Sequence, residues 1–239
     1  MIPALTERLC KAASLVSNDP SSAERTSLCK EGIVVADVGC DHAYLSLYLV
    51  LNNRCYRAIA SDLRVGPLES AKMNVRAHGC EDRITTVLSD GLDALSSFPL
   101  TDIVICGMGG DTMINILSRA EFIKTRGMRL VLQPQTAFAE LALYLCDAGF
   151  RILCERYAKE KNKSYRILLA EYEGKTVDLT LRDALVGKLH YYEDKEAYIA
   201  FCHKILHTID KKIQGALVSG ADTSSLEAIK QEIVSSIDF

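Results

Sequence analysis

The chain has 239 residues, 49% of them hydrophobic and 25% charged, with a formal charge of −3. That balance excludes a disordered chain and supplies enough apolar material for one substantial core with an appendage. It also excludes overall basicity as a guide to partners, so an anionic partner would have to be gripped by a local basic patch. No apolar run reaches membrane-spanning length, and the first residues lack a basic region followed by an apolar signal core. No membrane association is expected, and the cytoplasm is the expected compartment. Nine cysteines occur without a CxxC, mostly inside apolar periodic segments. Reduced core thiols are therefore expected, with no metal site. Cys40 and Cys106 stand apart, because both fall in strand-end turns where a ligand would pass and a thiol would be accessible.

Residues 2 to 17 read as an amphipathic helix laid over a sheet, with Leu5, Leu9, Ala12, Ala13 and Val16 on one face and Thr6, Glu7, Arg8 and Lys11 on the other. Asn18 to Glu24 is a linker by composition. Ile33 to Ala36, with Val38, forms an apolar run of the kind buried on both faces of a parallel sheet. The chain then turns at Gly39, Asp41 stands where an N-cap would, and Ala43 to Leu51 has helical spacing. Arg57 to Ser61 is a second strand ending at Asp62. In nucleotide-binding folds an acid at that place accepts ribose hydroxyls, whereas alone it would read as a helix cap. Val65 to His78 is a helix stopped by Gly79.

Arg83 to Leu88 is a third strand, followed by the turn Ser89-Asp90-Gly91. Thr101 to Cys106, the fourth, runs into Gly107-Met108-Gly109-Gly110, where the backbone can approach a substrate closely; a tight turn is the alternative. Arg129 to Leu132 closes on Gln133-Pro134, and Thr136 to Ala148 is a helix. Phe150 to Tyr157 and Tyr165 to Tyr172 pair as an antiparallel hairpin joined by the charged loop Ala158 to Ser164. The fold class is therefore α/β, a doubly wound, Rossmann-like seven-stranded sheet with an antiparallel edge.

After Gly174 the character changes. From Leu185 the chain is helical, with Tyr198, Cys202, Ile205, Ile209, Ile213 and Leu217 on one stripe and Leu226, Ile229, Ile233 and Ile237 on another. Two such stripes make a coiled-coil-like antiparallel hairpin whose apolar faces pack together. Residues 1–173 and 174–239 are thus the expected domains, with a monomer or a weak dimer through the C-terminal helices.

Acids fall at or past the ends of three successive strands, at Asp37/Asp41, Asp62 and Asp90, on the edge where open α/β sheets bind ligands. A dinucleotide would want GxGxxG; here the loop is DVGCDH, whose acids repel a diphosphate. S-adenosylmethionine carries a sulfonium and an ammonium, so carboxylates attract it.

Thr6 to Leu9 (TERL), ADVGCDHAYL, SDLRVGPLESAKMNV, DGL, ICGMGG, LQP and KSYRILLAE occur in this order between Thr6 and Glu171, and through them the chain resembles the bacterial tRNA adenine-22 N1-methyltransferase family. The resemblance implies a class I methyltransferase fold, S-adenosylmethionine as donor, and tRNA methylation at N1 of a D-arm adenine. It makes Asp37, Gly39, Cys40, Asp41 and His42 the first cofactor loop. Asp62 with Leu63 becomes the ribose contact and Asp90-Gly91 the adenine contact. Gly107, Met108 and Gly109 would frame the target base, with Gly107 also touching the cofactor and Gln133-Pro134 as the floor. Cys40 stands where a serine is more usual, Ser46 where a proline is, Gln135 where an asparagine is, and Arg166 where an acid is expected.

On that reading neutral adenine N1 offers its lone pair to the methyl group, and no proton leaves first. Catalysis is then positioning plus stabilisation of the positive charge that develops on the ring, with Asp41 the candidate for that charge or for holding the cofactor. N1 lies on the Watson–Crick edge, so a paired or stacked adenine must first be exposed. Arg151 to Arg166 holds six Lys/Arg against two Glu, which makes Lys159, Lys161, Lys163 and Tyr165 the candidate RNA contacts, extended by Arg8, Lys11 and Lys211-Lys212. A solvated charged loop is the alternative. Two other functions stay open on the residues alone: a methyltransferase with a small-molecule or protein acceptor, and a non-catalytic tRNA-binding protein.

Overall fold

The structure, a computed structural model, describes residues 4–16, 27–30, 32–187 and 194–237. The linker read at Asn18 to Glu24, and the outermost residues of the first predicted helix, lie outside these. Seven strands form one sheet: β1 (Val34–Val38), β2 (Arg57–Asp62), β3 (Ile84–Leu88), β4 (Asp102–Met108), β5 (Arg129–Pro134), β6 (Phe150–Glu160) and β7 (Lys163–Tyr172). Their order is β3-β2-β1-β4-β5-β7-β6, with β7 antiparallel to both neighbours. The helices are α1 (Glu7–Leu15), α2 (Tyr44–Leu51), α3 (Val65–Ala77), α4 (Gly110–Arg119), α5 (Phe138–Asp147), α6 (Leu181–Val186), α7 (Lys195–Ser219) and α8 (Ser224–Ile237).

The uninterrupted apolar runs are explained by helices on both faces. Val35, Val104 and Val131 point into one core with Ala12 of α1, Leu47 of α2 and Val75 of α3. Their strand neighbours Ala36, Ile103, Ile105, Leu130 and Leu132 point into the opposite core with Met113 and Leu117 of α4 and Leu141 of α5. Successive side chains on a strand face opposite ways, so a strand buried on both sides has no polar phase. Each fully buried aliphatic side chain contributes about 1.5–3 kcal/mol relative to exposure.

Three local readings change. Asp41 does not cap α2: it has φ +50, Ala43 with φ +58 is the residue before the helix, and no side chain there accepts a capping bond. The capping acceptor comes instead from the end of β1, where Asp37 Oδ2 accepts the Ser46 N–H at 3.2 Å and its Oγ–H at 2.7 Å. Second, the loop expected at Ala158 to Ser164 is mostly paired strand, with Lys159 opposite Ser164 and Glu160 opposite Lys163, closed by Lys161-Asn162 alone. Charged side chains on an exposed hairpin end look like loop by composition. Third, the C-terminal helical region starts earlier, with α6 at Leu181, ended by Gly187 at φ +89.

The helices beyond residue 174 share a core with the hairpin. Tyr157 of β6 packs with Val186, Tyr198, Phe201, Ile205 and Ile233, and its hydroxyl donates to the Val186 carbonyl at 2.7 Å. Leu217, placed on the stripe by spacing, is exposed beside the turn that joins α7 to α8. Among the described residues no helix is long and apolar enough to cross a membrane.

Candidate active site

β1 has β2 on one side and β4 on the other, so the strand order reverses between β1 and β4. The crevice beyond the carboxyl ends of the strands at such a switch point is where open α/β sheets hold ligands. Two loops flank it here. The first leaves β1 at Gly39, whose φ of +74 is open to glycine, and the Gly39 and Cys40 N–H groups both donate to the Ser61 carbonyl at 2.8 and 2.9 Å. The second is Gly107-Met108-Gly109-Gly110. A Cβ on Gly39 would collide with the Met108 methyl group, so the two loops close on each other. Strand β4 runs on to Met108 through an irregularity after Cys106, and Gly110 opens α4. Gly110 lies so close to the Thr136 and Ala137 carbonyls that only glycine fits.

The acids are distributed unequally. Asp37 is buried, and that burial raises its carboxyl to about 6, against the lowering pull of its Ser46 bonds. Asp62 is buried at the end of β2 and accepts from the Arg64 N–H at 2.9 Å and the Asp41 N–H at 3.4 Å, tying the two acidic loops together. A carboxylate has about four acceptor positions, more than these two N–H groups occupy. Asp41 itself is open, its side chain 66% exposed and 3.7 Å from the His42 ring nitrogen. His42 stacks on Tyr44 and Leu63 is exposed. Asp90 is exposed and pairs with Arg119 at 3.3 Å, beside Gly91, which lies against Ile116. A glycine cradle between a carboxylate on β2 and an open one on the first loop, free of lysine and arginine on the Gly39–Ala43 turn, fits a cationic nucleoside better than a phosphate.

The expectation of an accessible thiol fails for Cys40, while Cys106 is half-buried. Cys40 is buried, and burial with the nearby Asp37 and Asp62 pushes its thiol far up; Cys106 is pushed to about 12 by burial. Both shifts favour the thiol over the reactive thiolate at neutral pH. Among the described residues no group of His, Cys, Asp or Glu is arranged to hold a metal ion.

The lysines and tyrosine read as candidate RNA contacts come together beside the Gly107–Gly110 loop. A cleft of about 720 Å³ lies between the β6–β7 end and α7, with Lys159, Lys161, Lys163 and Tyr165 on one wall and His203 and Lys204 on the other. Gln135, whose N–H donates to the Met108 carbonyl at 2.8 Å, reaches the same cleft. Lys211 and Lys212 are outside its lining. Sequence reasoning missed His203 and Lys204, which apolar spacing on α7 masked. Arg8, also read as a candidate RNA contact, is half-buried against the Gly107 loop, donating from Nη1 to Gln133 Oε1 at 2.9 Å.

Strand order, antiparallel β7 and an acid-lined crevice at the switch point define a Rossmann-like methyltransferase. The sequence model of the tRNA (adenine(22)-N(1))-methyltransferase family, TrmK, matches residues 35–238. The chain belongs to this family. It is 36% identical over 140 residues to the Bacillus subtilis tRNA (adenine(22)-N(1))-methyltransferase, a match covering 59% of each chain. The crystal structure of the B. subtilis m1A22 tRNA methyltransferase superposes with a TM-score of 0.76 at 28% identity, over 98% of this chain and 96% of that one. Sp1610 of Streptococcus pneumoniae, solved in complex with S-adenosyl-L-methionine, gives a TM-score of 0.78 at 31% identity, over 98% and 100%.

Proposed function

We propose that this chain methylates N1 of adenine 22 in the D-arm of tRNA, with S-adenosylmethionine as donor. The observation that carries this reading is the meeting of the two loops: the acidic Gly39 turn and the Gly107–Gly110 loop touch, and the lysine-lined cleft opens beside the second. S-adenosylmethionine supplies a methyl group on a sulfonium, which adenine N1 takes with its own lone pair. Asp62 accepts the ribose hydroxyls, and Asp41 sets a negative charge against the cationic part of the ligand or the charge arriving on adenine. Gly107 to Gly109 holds the base against bare backbone, and Met108 fills the space towards Gly39. Lys159, Lys161 and Lys163 meet phosphates, with Tyr165 offering a ring face. Residues 1–173 carry the chemistry and 174–239 form a helical domain. The protein works in the cytoplasm, as a monomer or as a weak dimer through the C-terminal helices, where Leu217 and Val218 are exposed.

Incubation with labelled S-adenosylmethionine and unmodified tRNA, followed by nucleoside analysis, should give 1-methyladenosine at one position. Donor binding without label in RNA would refute the acceptor; label in another nucleoside would refute the loop assignment.

A further inference from the structure

Helix α1 carries two basic side chains one turn apart that reach different parts of the molecule. Arg8 Nη1 donates to the buried Gln133 amide oxygen at 2.9 Å and lies 3.4 Å from where a Gly107 Cβ would be. The same guanidinium sits 5.6 Å from the centre of the Tyr165 ring, and the Arg8 N–H donates to Glu160 Oε1 at 2.8 Å. Lys11 pairs with Asp194, the residue from which α7 starts. That carboxylate is buried and also accepts the Tyr157 N–H at 3.1 Å. Residues three apart on a helix have Cβ atoms about 5–6 Å apart, so the two side chains are held at a fixed separation. Helix α1 is therefore a bar between the root of the C-terminal helices and the underside of the target loop. The bonds that Asp37 and Asp62 accept from Ser46, Arg64 and Asp41 do not involve it.

We infer that Lys11 and Asp194 are positioning residues for methyl transfer: their ion pair seats α1, which holds Arg8 under Gly107, so that docking of the C-terminal helices sets the acceptor side of the crevice. This rests on the methyl-transfer reading. Gln133 transmits the contact, since its oxygen faces Arg8 while its Nε2 donates to the Pro134 carbonyl at 2.8 Å, at the end of β5 beside the target loop. A small displacement of that loop lowers turnover, because a shift of about 1 Å costs up to about a hundredfold.

The test uses the full chain and three variants, Lys11→Met, Lys11→Arg and the pair Lys11→Met/Asp194→Asn. Each is read by kcat and KM for tRNA, donor affinity by calorimetry, melting temperature, and the Gly107 amide resonance. Lys11→Met should lower kcat about tenfold with donor affinity and KM within about twofold, and Lys11→Arg should restore it. Lys11→Met also leaves a buried carboxylate half-paired and lowers the melting temperature. The double variant removes both charges and regains the melting temperature, yet kcat stays low and the Gly107 resonance stays shifted. Recovery of kcat together with stability in the double variant would overturn the inference, as would a Gly107 resonance unmoved by Lys11→Met. If the unaltered chain labels no tRNA, the functional reading fails, and the Gly107 resonance still decides the coupling.

Discussion

Asp37 shows how a single residue divides its duties between fold and site. Its carboxylate caps α2 from the end of β1, in a place so buried that its pKa rises from 3.8 to about 6. A folded-state pKa above the unfolded one stabilises the fold at low pH, below about 4, and that stabilisation disappears as pH rises through about 6. At pH 7.5 the charged, buried side chain therefore costs roughly 3 kcal/mol relative to its acid form. Asp37→Asn keeps an oxygen for the Ser46 N–H and has no proton to lose. Urea denaturation over a pH series should find the variant more stable at pH 7.5, by up to about 3 kcal/mol, with the advantage shrinking below pH 6 and gone near pH 4. Parallel curves for the two proteins would show that Asp37 titrates alike in the folded and the unfolded chain. The cost also has a functional meaning, because a cationic ligand in the crevice favours the charged form and offsets it. The place of Asp37 at a strand end was legible in the sequence. Its capping of Ser46 was not, since Asp41 stands at the conventional capping position and only the left-handed turn through Asp41 and Ala43 takes it out of play.

At the scale of elements, the β6–β7 hairpin is where composition and structure part most clearly. Strands β1, β2, β4 and β5 of the doubly wound half were legible because burial on both faces leaves an apolar run that turn residues bracket; β3, at the sheet edge, is only partly buried. The hairpin end is charged, and charge marks a loop and a solvated strand alike; register alone distinguishes them, and it depends on a two-residue turn in which Lys161 has φ +53. The difference matters to function. On a loop, Lys159, Lys161 and Lys163 would be scattered, whereas on paired strands and the tight turn between them they line one cleft across from Lys204, whose ammonium is pulled down by burial and by Lys163. Each phosphate left without its lysine reduces the slope of log affinity against log salt by about 0.7–0.9. Replacing all three lysines with alanine should therefore lower that slope by about 2 to 3 and weaken tRNA binding most at low salt, while donor affinity, governed by the crevice, stays as it was. Filter binding across a salt series measures the slope; one equal to the parent's would return these lysines to the role of solvating charges. What the sequence hid is the opposite wall, since His203 and Lys204 interrupt an apolar stripe whose period reads only as helix packing.

The whole molecule is held together by a buried polar joint between sheet and helices. Arg166 occupies a place where the family resemblance predicts an acid, and it points inward to pair with Glu155, both side chains about 1% exposed. The same guanidinium donates to the Ala184 carbonyl at 2.6 Å and the Asp183 carbonyl at 3.2 Å. One cation on β7 thus satisfies an acid on β6 and two carbonyls of α6, and the Tyr157 hydroxyl adds a third on Val186. No local pattern announces this, because the partners are 11 and 18 residues away and only the hairpin register brings them together. Removing one member of a buried ion pair leaves an uncompensated charge and costs about 3–5 kcal/mol. Arg166→Met should therefore destabilise the protein by about that much. Adding Glu155→Leu removes the stranded charge and should recover part of the loss; the rest persists, because the Ala184 and Asp183 carbonyls no longer have their donor. Hydrogen exchange should place the remaining defect in α6 and the start of α7, with β1, β2 and β4 still protected, since these are buried in the two cores on the faces of the sheet and the C-terminal helices form a separate one with Tyr157. Full recovery in the double variant would mean that the joint is an exchangeable ion pair and that apolar packing around Tyr157 and Phe201 seats the C-terminal helices. Loss of protection throughout the sheet would mean instead that the helices and the sheet unfold as one unit, with the joint as part of its common core.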